Sequence, residues 1–365
     1  MKKLFIVGAF IGLKLFSFAQ TDSTSVLGSE MNQATMDSLG LVNPKITQLY
    51  NQGVKSLNLD NNIEAIQKFT EVILMDPKNT MATFNRGVAY KNMKKYDEAV
   101  NDFYRTIEID SNNSNAYYMM GMSYFETQKF EQAILSLNSS YQVDPTHEKA
   151  AYYEGVAYFQ MEEYDEAILA FGKAISIRSN YAYAYNDRGS AKLKQDKIEE
   201  AIIDYKLAVN IDKKLSFAYN NLASAYRKKG DFKSANKYYN EAIKYKQDYY
   251  VAYNNRGTAK FESGDYPGAL SDFKKAITIN PKYAFAYNNK ATVYIKLEQY
   301  VQAVDASTKA LEFYPEYMEA FFNRGIAKEM LKDLDGACAD WHDAFMLGSE
   351  NAEKYVNSPA CSTSK

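Results

Sequence analysis

Between Tyr250 and Lys282 the chain reads YVAYNNRGTAKFESGDYPGALSDFKKAITINPK, and small or apolar residues at Ala252, Tyr253, Gly257 and Phe261 recur every three or four positions. That spacing lines one face of an α-helix. Ser263-Gly264-Asp265 then breaks the pattern, and a second helix is predicted from Pro267, because a proline at the first helical position loses only a donor that had no partner there. Ala269, Phe273 and Ala276 form the inner face of this second helix, which ends before Pro281. The stretch is a predicted helical hairpin. Gly257 and Ala269 let its two helices approach closely, and Phe273 is expected to fill space toward the next hairpin.

The same pattern returns every 34 residues, at Gly53, Gly87, Gly121, Gly155, Gly189, Ala223, Gly257, Ala291 and Gly325. An alanine stands 12 residues after each of them, from Ala65 and Ala99 to Ala303 and Ala337. A period held nine times without a slip means one unit copied end to end. Such copies contact only their neighbours, so 365 residues make one elongated array and not several globular domains. Prolines recur at the junctions, at Pro77, Pro145, Pro281 and Pro315, where a helix has to stop.

The 34-residue helix-turn-helix unit, with Gly or Ala, Tyr, Ala, an aromatic residue and Pro at these offsets, resembles the tetratricopeptide repeat (TPR) family over about residues 46–348. The resemblance implies an all-α fold, a right-handed superhelical solenoid of tandem helix-turn-helix repeats. Ser111, Ser179, Lys213 and Gln247 replace the terminal proline, so those junctions are expected to be smoother.

The flanks differ in composition. Lys2 and Lys3, the apolar run from Leu4 to Phe18 and the small-x-small site Ser17-Phe18-Ala19 read as a signal peptide over residues 1–19, as in an exported bacterial protein, periplasmic or extracellular. An uncleaved membrane anchor is the alternative. Residues 20–45 read as a flexible polar leader, and residues 349–365 as a capping helix followed by a tail, with Ser349 as helix cap. Two cysteines occur, Cys338 and Cys361, both at the C-terminal end. They form either a disulfide staple, worth about 3 kcal/mol in the chain-entropy model, or two free thiols. Export favours the disulfide.

Without residues 1–19 the chain holds 40 basic and 45 acidic side chains, a net charge of −5 from 43 − 3 = 40 against 45. A nucleic-acid partner would call for a basic stripe, and none is present. His147 and His342 lie far apart along the array, no His, Cys and carboxylate cluster has metal spacing, and no nucleophile has an evident base. The expectation is a chain without catalytic residues, cofactor or bound metal.

Two sets of polar residues stand out. The residue before the small position is Arg86, Arg188, Arg256 or Arg324 in four copies, and those same copies carry Asp102, Asp204, Asp272 or Asp340 sixteen residues later. In the other five copies both are absent, as in Glu154 with Ala170, and no two of the four adjoin. The pairs are therefore predicted within each hairpin as half-buried ion pairs that set register.

The second set lies two and three places before the small position, where the resemblance implies a concave groove: Asn186 and Asp187, Asn220 and Asn221, Asn254 and Asn255, Asn288 and Asn289. One turn earlier stand Tyr183, Phe217, Val251 and Phe285, and just past the small position Ser190, Ser224, Thr258 and Thr292. Asn both donates and accepts, so this band suits the main chain of an extended peptide. Helix stacking is the plain alternative for the asparagines. Tyr118, Met119, Tyr152 and Tyr153 form a softer patch in copies three and four. The expected function is an envelope adaptor that binds another protein or extended peptide, with membrane association only through a partner or an uncleaved signal. A glycan or cell-wall binding module and a passive structural strut are the alternatives.

Overall fold

A computed structural model describes residues 43–362. The expected signal peptide and most of the expected leader lie outside the described residues, and the last two leader residues, Pro44 and Lys45, open the first helix. Eighteen helices follow as nine antiparallel pairs, each with a first helix A and a second helix B. They form two compact units, divided between Ile211 and Asp212.

The N-terminal unit holds five hairpins: α1 (Pro44–Asn58) with α2 (Asn62–Met75), α3 (Thr80–Asn92) with α4 (Tyr96–Ile109), α5 (Ser114–Glu126) with α6 (Phe130–Val143), α7 (Glu148–Gln160) with α8 (Tyr164–Ile177), and α9 (Ala182–Lys194) with α10 (Ile198–Ile211). The C-terminal unit holds four: α11 (Ser216–Lys228) with α12 (Phe232–Tyr245), α13 (Tyr250–Glu262) with α14 (Tyr266–Ile279), α15 (Ala284–Lys296) with α16 (Tyr300–Phe313), and α17 (Met318–Met330) with α18 (Leu334–Met346). Two short helices, α19 (Glu350–Val356) and α20 (Pro359–Ser362), close its end.

Each hairpin turns on one residue with positive φ, seven places after the small position. Glycine occupies it only at Gly230 and Gly264, whereas Asp60, Lys94, Gln128, Glu162, Asp196, Glu298 and Lys332 hold the same conformation elsewhere. The period of the array imposes the turn even where the local residue disfavours it. The junctions between hairpins are equally uniform. Asn113 N–H donates to the Asp110 carbonyl and Leu215 N–H to that of Asp212, as Asn79 N–H does to Asp76 beside Pro77. Asp110 and Asp212 also accept from the amides of Asn112 (3.1 Å) and Lys214 (2.8 Å). Asp76 accepts from the Lys78 amide in the same way beside Pro77, and Tyr181 and Tyr249 N–H donate to the carbonyls of Arg178 and Lys246, so the turn is the same with or without the proline and these junctions are not smoother.

In six of the nine hairpins the core is a ring pressed on a glycine, and in the third Leu137 presses on Gly121. A Cβ on Gly257 would stand 2.7 Å from Phe273, one on Gly87 2.8 Å from Phe103, and one on Gly325 2.5 Å from Trp341. Phe273 therefore packs chiefly inside its own hairpin and reaches the next one through Val293. Ala291 faces Ser307, both buried, so the larger residue on the A helix meets a smaller one on the B helix. At the C-terminal end Tyr355 of the closing helix packs on Trp341, with ring centroids 4.4 Å apart, and on Phe322. Ser349 caps that helix by accepting from the Ala352 amide at 3.3 Å. Cys338 and Cys361 are bonded, with Cα atoms 5.4 Å apart, and tie the lid to the last hairpin.

Gly257→Val is expected to lower stability by about 3 kcal/mol, from overpacking against Phe273 together with a poorer helix former. Urea denaturation checks it: an unchanged midpoint would remove the ring-on-glycine contact as the determinant of hairpin closure.

Candidate protein-docking surface

The Arg and Asp pairs come together as forks. Nε and Nη2 of Arg86 donate to the two carboxylate oxygens of Asp102 at 2.8 and 2.7 Å, and Arg188 with Asp204, Arg256 with Asp272 and Arg324 with Asp340 repeat the geometry. The aspartates are buried and the arginines half-buried. Hydrogen bonding to Asp102 holds the Arg86 guanidinium above its ordinary pKa.

Three further features lay beyond the reach of sequence covariation. Lys192, Lys260 and Lys328 add a second cation to Asp204, Asp272 and Asp340 at 2.8–2.9 Å, so three of the four sites hold two cations on one acid. Each lysine stands three residues after the small position, one turn from its arginine. Nη1 of Arg86, Arg256 and Arg324 also reaches back to Thr70, Asn240 and Thr308 on the preceding B helix. The pair is made within a hairpin, yet the arginine joins two hairpins. Glu154, where the arginine would stand, takes the opposite sign and meets Lys173 at 3.4 Å and Asn138 at 3.5 Å.

The asparagine band is not an open groove. Asn186, Asp187, Asn220, Asn221, Asn254 and Asn288 are buried, and only Asn255 and Asn289 are partly accessible. Their amides link successive A helices 35 residues apart. In the C-terminal unit Asn255 donates to Asn220 (3.1 Å), Asn289 to Asn254 (2.9 Å) and Asn323 to Asn288 (2.8 Å). In the N-terminal unit Asn85 donates to the Tyr50 hydroxyl (2.9 Å), and the Tyr152 hydroxyl donates to Asp187 (2.6 Å). The expectation that these six buried groups clamp a peptide is corrected: a buried polar group needs an internal partner, which the neighbouring copy supplies to Asp187, Asn220, Asn254 and Asn288, and the adjacent residue to Asn186 and Asn221.

The hydroxyl row turns inward as well. Ser190 and Ser224 meet the hydroxyls of Tyr205 and Tyr239 in their own hairpins, and Thr258 and Thr292 donate to the carbonyls of Asn254 and Asn288. Of the softer patch, Tyr118, Met119, Tyr152 and Tyr153 are all buried. Ser114, Ser140 and His147 do meet, with His147 Nδ1 3.1 and 3.0 Å from the two hydroxyls. Burial lowers the His147 pKa, and Tyr118 covers its ring at 4.7 Å, so the cluster reads as junction packing.

The aromatic row remains accessible in part. Tyr183 of the N-terminal unit, and Phe217, Val251 and Phe285 of the C-terminal unit, are half-buried at one register of the A helices. Phe285 is steadied by Tyr283 (5.3 Å), Tyr317 (5.2 Å) and Tyr314 (6.3 Å).

Comparisons with known proteins agree with this architecture. Tetratricopeptide-repeat models match residues 155–196, 182–215, 216–249, 250–283 and 273–305, and a model described as anaphase-promoting complex, cyclosome, subunit 3 matches residues 92–174. The chain belongs to the tetratricopeptide repeat family. Among solved structures it is similar to the Cut9–Hcn1 hetero-tetramer of the anaphase-promoting complex, at 17% identity and TM-score 0.53, covering 90% of this chain and 79% of that one. It is also similar to yeast Tom70, at 14% identity and TM-score 0.52, covering 91% and 90%. Against MamA the identity is 26% over 47% of this chain and 93% of that one, with TM-score 0.44. No curated protein sequence matches. These solved likenesses concern the fold, and tetratricopeptide repeats typically serve as non-catalytic interaction scaffolds.

Asp187 is the one acid in the ladder. It accepts from Tyr152 and, at 2.8 Å, from the Asn186 amide, has no ion-pair partner among the described residues, and burial pushes its carboxyl up from 3.8 to about 7. A pKa raised on folding means that the folded chain binds the extra proton between these values, so stability falls as pH rises from about 4 through about 7. Asp187→Asn is expected to remove that slope and to raise stability at pH 8. Asn85 already donates to Tyr50 in the same register, and Asn220 to Asn221 shows the neighbouring amide contact. Urea midpoints at pH 5 and 8 check it, and a parent midpoint that rises with pH over this range contradicts it.

Asp272→Asn leaves Arg256 and Lys260 without their counter-charge and is expected to cost about 3 kcal/mol. Arg256→Met and Lys260→Met with Asp272→Leu, which removes both cations together with the acid, is expected to cost less than the single change. Equal losses in the two proteins would show that the pair itself, and not the stranded charge, carries the energy.

Proposed function

We propose that this chain is an exported, non-catalytic scaffold of the bacterial cell envelope, and that it holds a protein partner through an extended segment lying on the A helices of the C-terminal unit. Family membership supports the scaffold. The observation that carries the docking site is the row Phe217, Val251 and Phe285, one half-exposed apolar side chain per hairpin at a fixed register. Regularly spaced apolar contacts with partly accessible amides beside them, here Asn255 and Asn289, suit a segment whose side chains alternate between surface and solvent. The fully buried asparagines keep the hairpins in register beneath that row.

Export is supported by the N-terminal sequence and by the bonded pair Cys338 and Cys361, since disulfides persist in oxidising compartments. Among the described residues no helix is long and apolar enough to cross a membrane, and attachment to one would pass through a partner or an uncleaved signal.

A photo-crosslinking residue placed at Val251 is expected to capture a defined partner in the native envelope fraction, with the same residue at Lys237, on the exposed face of a B helix, as control. Phe217→Ala with Phe285→Ala, in a protein of unchanged helicity, is expected to abolish that capture. Equal capture at the two positions, or capture that survives the double substitution, would refute the A-helix site.

A further inference from the structure

The B helices of the third, fourth and fifth hairpins, all in the N-terminal unit, expose an aliphatic residue at one register. Leu135, Leu169 and Ile203 stand 34 residues apart and are 70%, 68% and 58% exposed. The other six copies place Gln67, Asn101, Lys237, Ser271, Asp305 and Ala339 there, all exposed and none a large aliphatic. Packing within the hairpin therefore does not require an aliphatic residue at this position. Three in adjacent copies make an apolar row, hereafter the ridge, which a solvated face does not need.

The ridge has a charged border on one side. One turn earlier on the same helix faces lie Glu131, then Asp165 and Glu166, then Glu199 and Glu200, all exposed. Lys197 and Lys192 neutralise part of the border, through Asp165 at 3.6 Å and Glu200 at 3.5 Å. On the other side of the ridge stand Lys173, committed to Glu154, and Lys206.

We propose that this ridge is a second docking surface, and that its occupant is an amphipathic helix of a partner protein with Lys or Arg beside its aliphatic stripe. Three aliphatic side chains at one register call for an apolar stripe on the occupant, which an amphipathic helix carries along one face, and charge selects its flank. The acidic border repels an anionic membrane and attracts a basic flank. A second copy of the chain offers Lys233 and Lys237 on an exposed B-helix face, without an aliphatic stripe beside them.

The probe is a synthetic helical peptide of about 18 residues with leucines at seven-residue spacing and lysines on one flank, paired with the same peptide carrying glutamates. Fluorescence anisotropy with the full chain is expected to show binding of the lysine peptide. Affinity should fall about tenfold or more for Leu135→Ser/Leu169→Ser/Ile203→Ser, and similarly for Glu131→Lys/Glu166→Lys/Glu200→Lys. The glutamate peptide should prefer the second of these proteins, a gain that misfolding could not produce. The proposal is overturned if the lysine peptide fails to bind, if it binds the serine protein as tightly as the parent, or if sedimentation shows that the ridge holds two copies of the chain together.

Discussion

Everything in this chain rests on how closely two antiparallel helices can approach at one point. Gly87 under Phe103, Gly257 under Phe273 and Gly325 under Trp341 leave no room for a methyl group, so each ring is gripped by its own hairpin. Burying an aromatic ring contributes on the order of 2–3 kcal/mol, and a ring in most of the hairpins repeats that term along the array. Where alanine replaces the glycine, the facing residue shrinks to Ser307 at Ala291 but stays a buried ring, Tyr239, at Ala223.

Closure of the hairpin brings two polar systems into burial, and both are completed by neighbours. The fork from arginine to aspartate spans the two helices, and its remaining nitrogen reaches the preceding B helix, so that one side chain reports on register within and between copies. The ladder of side chains 35 residues apart joins successive A helices. Pairs as different as Tyr50 with Asn85, Asn220 with Asn255 and Tyr152 with Asp187 satisfy the same two positions. Geometry selects the hydrogen bond, and several chemistries can make it. Asp187 is the costly member, because its carboxylate is buried without a cation.

With the asparagines committed to stacking, the surface left for partners is apolar and sparse. Half-exposed Phe217, Val251 and Phe285 mark the A helices of one unit, and exposed Leu135, Leu169 and Ile203 the B helices of the other. Repeat architecture suits this division of labour, since each copy closes its own core and leaves its outer faces free to vary.

The helix pairs, their register and the four ion pairs were legible in the sequence, because a period that never slips places equivalent residues at equivalent depth, and because Arg and Asp appear and vanish together across the copies. The direction of the asparagines was not. Whether a side chain two or three places before the small position faces a groove or the next helix depends on the angle between successive hairpins, and no residue within one copy encodes that angle. The same holds for Lys192, Lys260 and Lys328, which reach aspartates already assigned to arginines, and for Glu154, whose cation comes from a register where no covariation pointed. Local periodicity decides what is helix and which face is apolar. Only the stacking of one copy on another decides which polar atoms are sealed from water and which remain for a partner.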